Sequence, residues 1–165
     1  MRVREEEVHR PGEVRGDMRG LVTSVYFEAH CHATEDVDKV RAAVLNLIPP
    51  SLRSSIKITQ ERLEGYYGNP IVVMKATVSD EAEEVVEYLS NLMSVYDRRA
   101  LSDSLALRID DSNNFYVRVD KQWAYRGEAR VANHDDVIKV KISLSSRLRG
   151  LAAVREALTQ LGLVE

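Results

Sequence analysis

A chain of 165 residues, 44% hydrophobic and 30% charged, suits one globular domain with a single core and is short for two. Its net charge of −3 argues against a general duplex-binding protein, which is usually strongly basic. No apolar run approaches the roughly 18–20 residues of a membrane span, and the single Cys31 cannot close an internal disulfide, so a cytoplasmic setting is expected.

Residues 1–18 are polar and broken by Pro11-Gly12, and they read as a flexible tail ahead of one domain over 19–165, with Met18 an alternative start. From Leu21 to Ala33 the chain alternates, with Val25, Phe27, Ala29 and Cys31 on one side and Tyr26, Glu28, His30 and His32 on the other. That is a strand with one buried face. Thr34 then caps a helix with Glu35, Asp36 and Asp38 in its first turn and an apolar face of Val37, Val40, Val44 and Leu47, stopped by Pro49-Pro50. A second strand is expected near Ser55–Arg62. Next come the loop Glu64-Gly65-Tyr66-Tyr67-Gly68-Asn69-Pro70 and an apolar strand over Ile71–Val78. Asp80 and Glu83 resemble a capping pair for a long helix ending near Tyr96. Alternation predicts further strands at Leu105–Ile109, Phe115–Val119 and Ile138–Leu144, and a terminal amphipathic helix at about Arg147–Leu161.

This order predicts an α+β fold: one mostly antiparallel sheet with helices packed on one face. The residues opposite the core would then share the other face. They are Tyr26, Glu28, His30, His32, Lys57, Lys75, Arg108, Tyr116, Arg118, Lys139 and Lys141. Six are fixed cations, and like charges on neighbouring strands repel, so the bias points to an anionic partner. The second half of the chain is also the positive one: residues 98–165 hold 12 Lys/Arg against 9 Asp/Glu, while the first 97 hold 11 against 17.

The segment Phe115–Gly127 interleaves Phe115, Tyr116, Trp123 and Tyr125 with Arg118, Lys121 and Arg126. Rings beside cations suit the stacking of unpaired bases and the neutralising of phosphates. Tyr116, Arg118 and Lys121 are the better contact candidates, because Trp123 reads as a plug at the end of the core. His30 and His32 share one side with Glu28, as zinc ligands on a strand would, but no second ligand cluster accompanies them and neither metal nor cofactor is expected. Asp110-Asp111 and Asp135-Asp136 read as turn formers. No Walker loop, GxGxxG, GxSxG or HExxH pattern is present, so no enzyme is expected.

Several stretches together resemble a small archaeal family described as RNA-binding proteins or predicted exosome subunits. His30-Cys31-His32-Ala33-Thr34-Glu35-Asp36 is similar to its HVHATED junction, and Glu64–Ile71 to its EGHHGNPI loop. Phe115–Gln122 with Ala124-Tyr125 and Gly127-Glu128 is similar to its FYLRFDKQ.AY.GE stretch, and Asp135–Val140 to its late acidic pair and final strand. Tyr66 and Tyr67 stand where the family has histidines, and Trp123 is bulkier than the pattern. The resemblance implies a fold like that of ribosomal protein L5, RNA binding, and a place near an exosome or ribosome-related complex.

Together these readings predict a non-catalytic RNA-binding module. Arg108, Arg118, Lys121, Lys139 and Lys141 would meet phosphates, and Tyr66, Tyr67 and Tyr116 would stack on bases. The alternative is a protein–protein or homodimer module whose partner covers the same face or an edge strand.

Overall fold

The computed structural model describes residues 18–165, with the side chain of Tyr66 outside the described part. The tail expected over residues 1–17 lies outside the described residues. Met18, expected in that tail, is instead a core residue at 2% exposure.

Five strands form one sheet in the order β2-β3-β1-β5-β4, every pairing antiparallel. They are β1 (Val22–His32), β2 (Thr59–Glu64), β3 (Pro70–Val78), β4 (Asn114–Asp120) and β5 (Val137–Leu144). The helices are α1 (Val37–Leu45), α2 (Ala82–Asn91), α3 (Val95–Asp103), α4 (Leu105–Arg108), α5 (Lys121–Tyr125) and α6 (Leu151–Gln160). Val25, Phe27, Ala29, Met74, Val117 and Ile142 from the strands meet Val44, Val85, Leu89, Leu101 and Leu158 from the helices in one core. The alternation in β1, β4 and β5 sets which side is buried, because successive side chains point to opposite faces. The architecture is the α+β sheet-and-helix fold expected from the sequence.

Several local expectations change. Asp36, not Thr34, caps α1, accepting a bond from the Asp38 N–H at 2.9 Å. Asp80 and Glu83 do not form a capping pair. Glu81 occupies the cap in a left-handed conformation (φ 59°), and the buried Glu83 carboxylate accepts the Val22 N–H at 2.8 Å, tying α2 to the start of β1. The long helix breaks at Leu92–Ser94, where the Leu92 carbonyl accepts the Ala129 N–H and Ser94 caps a new helix through Asp97.

The strand expected at Leu105–Ile109 is helical instead. Leu101 and Leu105, four residues apart, both enter the core, whereas Leu107 is 90% exposed, so the burial follows a helical period. Only Ile109 retains a bridge, to Phe115. The second strand starts at Thr59 rather than Ser55, because Pro50–Ser55 winds into a 3-10 turn, and Lys57 therefore stands off the sheet. α6 starts at Leu151 rather than Arg147, after Gly150 takes the left-handed backbone (φ 85°) that glycine tolerates best. No helix among the described residues is long and apolar enough to cross a membrane.

Candidate nucleic-acid interface

The helices all cover the side bearing Phe27 and Val117, which leaves the other side of β1, β5 and β4 open. Register then decides which residues meet on that open face. Tyr26 lies opposite Lys141, and Lys141 opposite Tyr116. One pleat along, Lys75, Glu28, Lys139 and Arg118 form a second row across four strands. Directly opposed residues on neighbouring strands are close enough to interact side chain to side chain.

Hydrogen bonds hold these groups in place. The Tyr26 hydroxyl donates to Glu28 Oε1 at 2.7 Å, and His30 Nε2 lies 3.2 Å from Glu28 Oε2. Burial pushes the Glu28 carboxyl up, but the Tyr26 hydroxyl, His30 and Lys139 outweigh it and hold its pKa below the usual value. Burial, with the Glu28 bond added, pushes the Tyr26 phenol well up. The Tyr116 hydroxyl donates to Asp110 Oδ2 at 2.8 Å, which raises the phenol pKa. Asp110 is drawn down to about 2, first by the Asn114 backbone N–H and also by the bonds from Tyr116, the Asn114 side chain and Ser112. The Lys141 ammonium sits 5.2 Å from the centre of the Tyr26 ring, within cation–π range. Arg118 donates from Nη2 to the His134 carbonyl at 2.8 Å and to Asp135 Oδ1 at 3.2 Å, at the sheet edge. Between the two tyrosines lies an open concavity of ≈ 380 Å³.

Tyr116, Arg118, Lys139 and Lys141 therefore come together as expected on the open face. Arg108 does not sit on that face. It ends α4, with Nε on Ser104 Oγ at 2.7 Å and Nη1 3.4 Å from the Tyr116 carbonyl, beside the β4 edge. The expectation for Tyr66 lies outside the described side chains. Tyr67 is 92% exposed with a left-handed backbone (φ 65°), but it belongs to the turn between β2 and β3. That turn ends where β3 begins at Pro70, seven residues from Thr77, the partner of Tyr26, or roughly 23 Å at strand rise. In the same turn a Cβ added at Gly65 would lie 3.0 Å from the Asn69 carbonyl oxygen and 2.6 Å from Ile71 Cδ1, so the Ile71 side chain would have to shift.

Lys121 is the clearest departure. It is 3% exposed, and its ammonium meets Glu35 (3.0 and 3.2 Å), Asp136 (2.9 Å) and the His30 carbonyl (2.6 Å). It cannot meet a phosphate from there. It joins the end of β1, the entry to α1 and the start of β5, which brings together three of the stretches that carried the sequence resemblance. Asp136, read as a turn former, has its pKa held down chiefly by Lys121 and Gln122 against the effect of burial.

Trp123 is not a core plug either. Ala124 fills the core, while the half-buried indole is stacked by the Arg130 guanidinium 3.3 Å from its centre, with Arg126 at 5.0 Å. Among the described residues no group of three or more His, Cys, Asp or Glu side chains is placed to hold a metal ion. Burial pushes the Cys31 thiol pKa up, which disfavours the thiolate a ligand or nucleophile needs.

Sequence reasoning counted Glu28 as a lone acid and Asp110 as a turn former, and missed that both anchor tyrosines. Tyr26, Glu28 and His30 at two-residue spacing on one strand face carried that signal for Glu28.

A family model described as RNA binding matches residues 24–144, and so takes in all of the sheet but the first two residues of β1. The chain belongs to this RNA-binding family. It is 37% identical over 118 residues to an RNA-binding protein of Pyrococcus abyssi, covering 70% of this chain and 77% of that relative. A crystal structure of a DUF54 protein from Archaeoglobus fulgidus superposes with a TM-score of 0.72 at 29% identity, covering 85% of this chain and 99% of the other. A DUF54 protein from Methanothermobacter thermautotrophicus gives 0.66 at 28% identity, with 88% and 99% covered.

Proposed function

We propose that this protein binds RNA through the open face of its sheet. The observation that carries the reading is register: it sets Lys75, Lys139, Arg118 and Lys141 beside Tyr26 and Tyr116 on a face that no helix covers. Four cations close together on an otherwise acidic chain make a local anion-binding surface without making the whole protein a polyanion trap. Family membership and the name of the Pyrococcus relative support RNA as the anion.

The reading is of a binding module and not of a catalyst. The face's central carboxylate, Glu28, is held ionised by its neighbours, and neither tyrosine is drawn toward an ionised form near neutrality. Association with an exosome or ribosome-related complex, which the sequence resemblance implies, is part of the proposal and would bring RNA to this face. Recovery of such a complex with tagged protein from its source tests that part.

A salt titration of RNA binding tests the central claim. Single-strand binding constants should fall with log salt by about 0.7 per phosphate contact. An affinity independent of salt would defeat the reading. A homodimer through the open edge remains the second reading, because all six residues of β2 are exposed. Yet Glu61, Arg62 and Glu64 on that strand are the charges that guard an edge against pairing. Sedimentation with and without RNA separates the two: a stable dimer that ignores RNA favours the second.

A further inference from the structure

Resting on that reading, we infer that the RNA taken by this face is single-stranded, and that one unpaired base seats in the concavity between Tyr26 and Tyr116. The argument begins with the two phenols. Each hydroxyl proton is already committed to a carboxylate, Tyr26 to Glu28 at 2.7 Å and Tyr116 to Asp110 at 2.8 Å. Neither ring is therefore available to donate to a phosphate, and what each still offers a ligand is its π-face. The same bonds pin the rings at their outer ends, so the stacking surfaces are set before a ligand arrives and little rotamer freedom is lost on binding.

Spacing supports one base between them. Tyr26 and Tyr116 flank Lys141 on the two strands either side of β5, so their backbones stand about 10 Å apart. The space between them is the ≈ 380 Å³ concavity, open to solvent. A base held inside a duplex is stacked above and below and cannot enter such a space, whereas a base in a single strand or loop can be splayed into it. Charge places the backbone. The Glu28 carboxylate, kept ionised, repels phosphate from the middle of the second row, while Lys139 and Arg118 on one side and Lys75 on the other attract it. A strand crossing the sheet with its base inward and its phosphates over the lysines satisfies both constraints. Lys141, 5.2 Å from the Tyr26 ring centre, occupies part of the concavity and would swing toward the phosphate as the base displaces it.

The test uses fluorescence anisotropy with the full chain and a labelled twelve-nucleotide RNA, first as a single strand and then annealed to its complement. The expected result is tighter binding of the single strand. Tyr116→Leu should weaken that binding by about 5- to 150-fold, the range for loss of one stacked base, with the salt slope unchanged. Tyr116→Phe, which keeps the ring and gives up only the bond that pins it, should lose far less than Tyr116→Leu, about a few-fold at most. Tyr116 is 43% exposed, so both variants should fold, and circular dichroism checks this. Equal or tighter binding of the duplex would overturn the base-slot inference while leaving the sheet-face reading intact. So would a Tyr116→Phe loss as large as that of Tyr116→Leu, because the hydroxyl would then be the recognition group. Failure of the parent protein to bind either RNA would overturn the sheet-face reading and this inference with it.

Discussion

Around Lys121 the ammonium is buried and ringed by two carboxylates and a carbonyl, whereas Lys139 is exposed, with Glu28 opposite it on one strand and Arg118 on the other. Both lysines lie within the stretches that resemble the RNA-binding family, and both look equally suited to a phosphate when read as sequence. Their surroundings separate them. A lysine enclosed by anions from distant parts of the chain holds those parts together. One that faces water beside other cations keeps its charge available to a ligand. The end of the sheet is thus an electrostatic latch, and the open face is the surface left over for binding.

The largest effect expected from this contrast is on stability. Lys121→Met leaves the Glu35 and Asp136 carboxylates beside an apolar stem and strands the His30 carbonyl. Because both carboxylates keep some contact with water, the loss should lie near the lower end of the buried-pair range, about 3 kcal/mol. Urea unfolding measures it, and a loss within experimental error would show that the latch is not structural. The folded fraction should bind RNA as the parent does.

The converse variant is Lys139→Gln with Lys141→Gln. It should leave the unfolding midpoint almost unchanged, within about 0.5 kcal/mol for surface changes, and lower the slope of log affinity against log salt by about 0.7 for each lysine. If stability falls and the slope does not, the roles assigned to the two regions are reversed.

A smaller and pH-dependent effect is expected at the anchor of Tyr116. Asp110 has its pKa depressed to about 2 in the folded protein from an ordinary 3.8, so its ionised form stabilises the fold above the ordinary value. That contribution is lost as pH falls through the window from 3.8 to about 2. Asp110→Asn should therefore be less stable than the parent above that window and converge with it at the acid end, as acid-unfolding curves would show. Parallel curves at all pH values would sink the assignment.

The smallest effect belongs to Arg130, stacked on the only Trp of the chain. Arg130→Ala should cost about 0.5–1 kcal/mol, as an exposed cation–π contact does, and shift the tryptophan emission to longer wavelength. An unchanged spectrum would mean that the stack does not persist in solution.

Particular elements show what could be read in advance. The face of Tyr26, Glu28, Lys139, Lys141, Tyr116 and Arg118 was legible because a strand's two-residue period assigns each side chain to a side without any knowledge of its neighbours. The same rule misread Leu105–Ile109, since five residues of alternation also fit one turn of helix when only Leu105 is buried. The break before α3 was legible in principle, as Ser94 with Asp97 three residues on is a cap signal, but the apolar stripe running through Met93 and Tyr96 masked it.

By itself, then, the sequence determined the α+β class and the side of the sheet on which the cations stand, because backbone periodicity is a local property of the chain. Only the tertiary structure decided which of those cations are free. Lys121 meets Glu35 across 86 residues, and Arg108 left the face when its segment closed into a helix. Ion pairing depends on distances of a few ångströms between segments far apart in the chain, and those distances exist only after the strands have taken their register and the helices have packed.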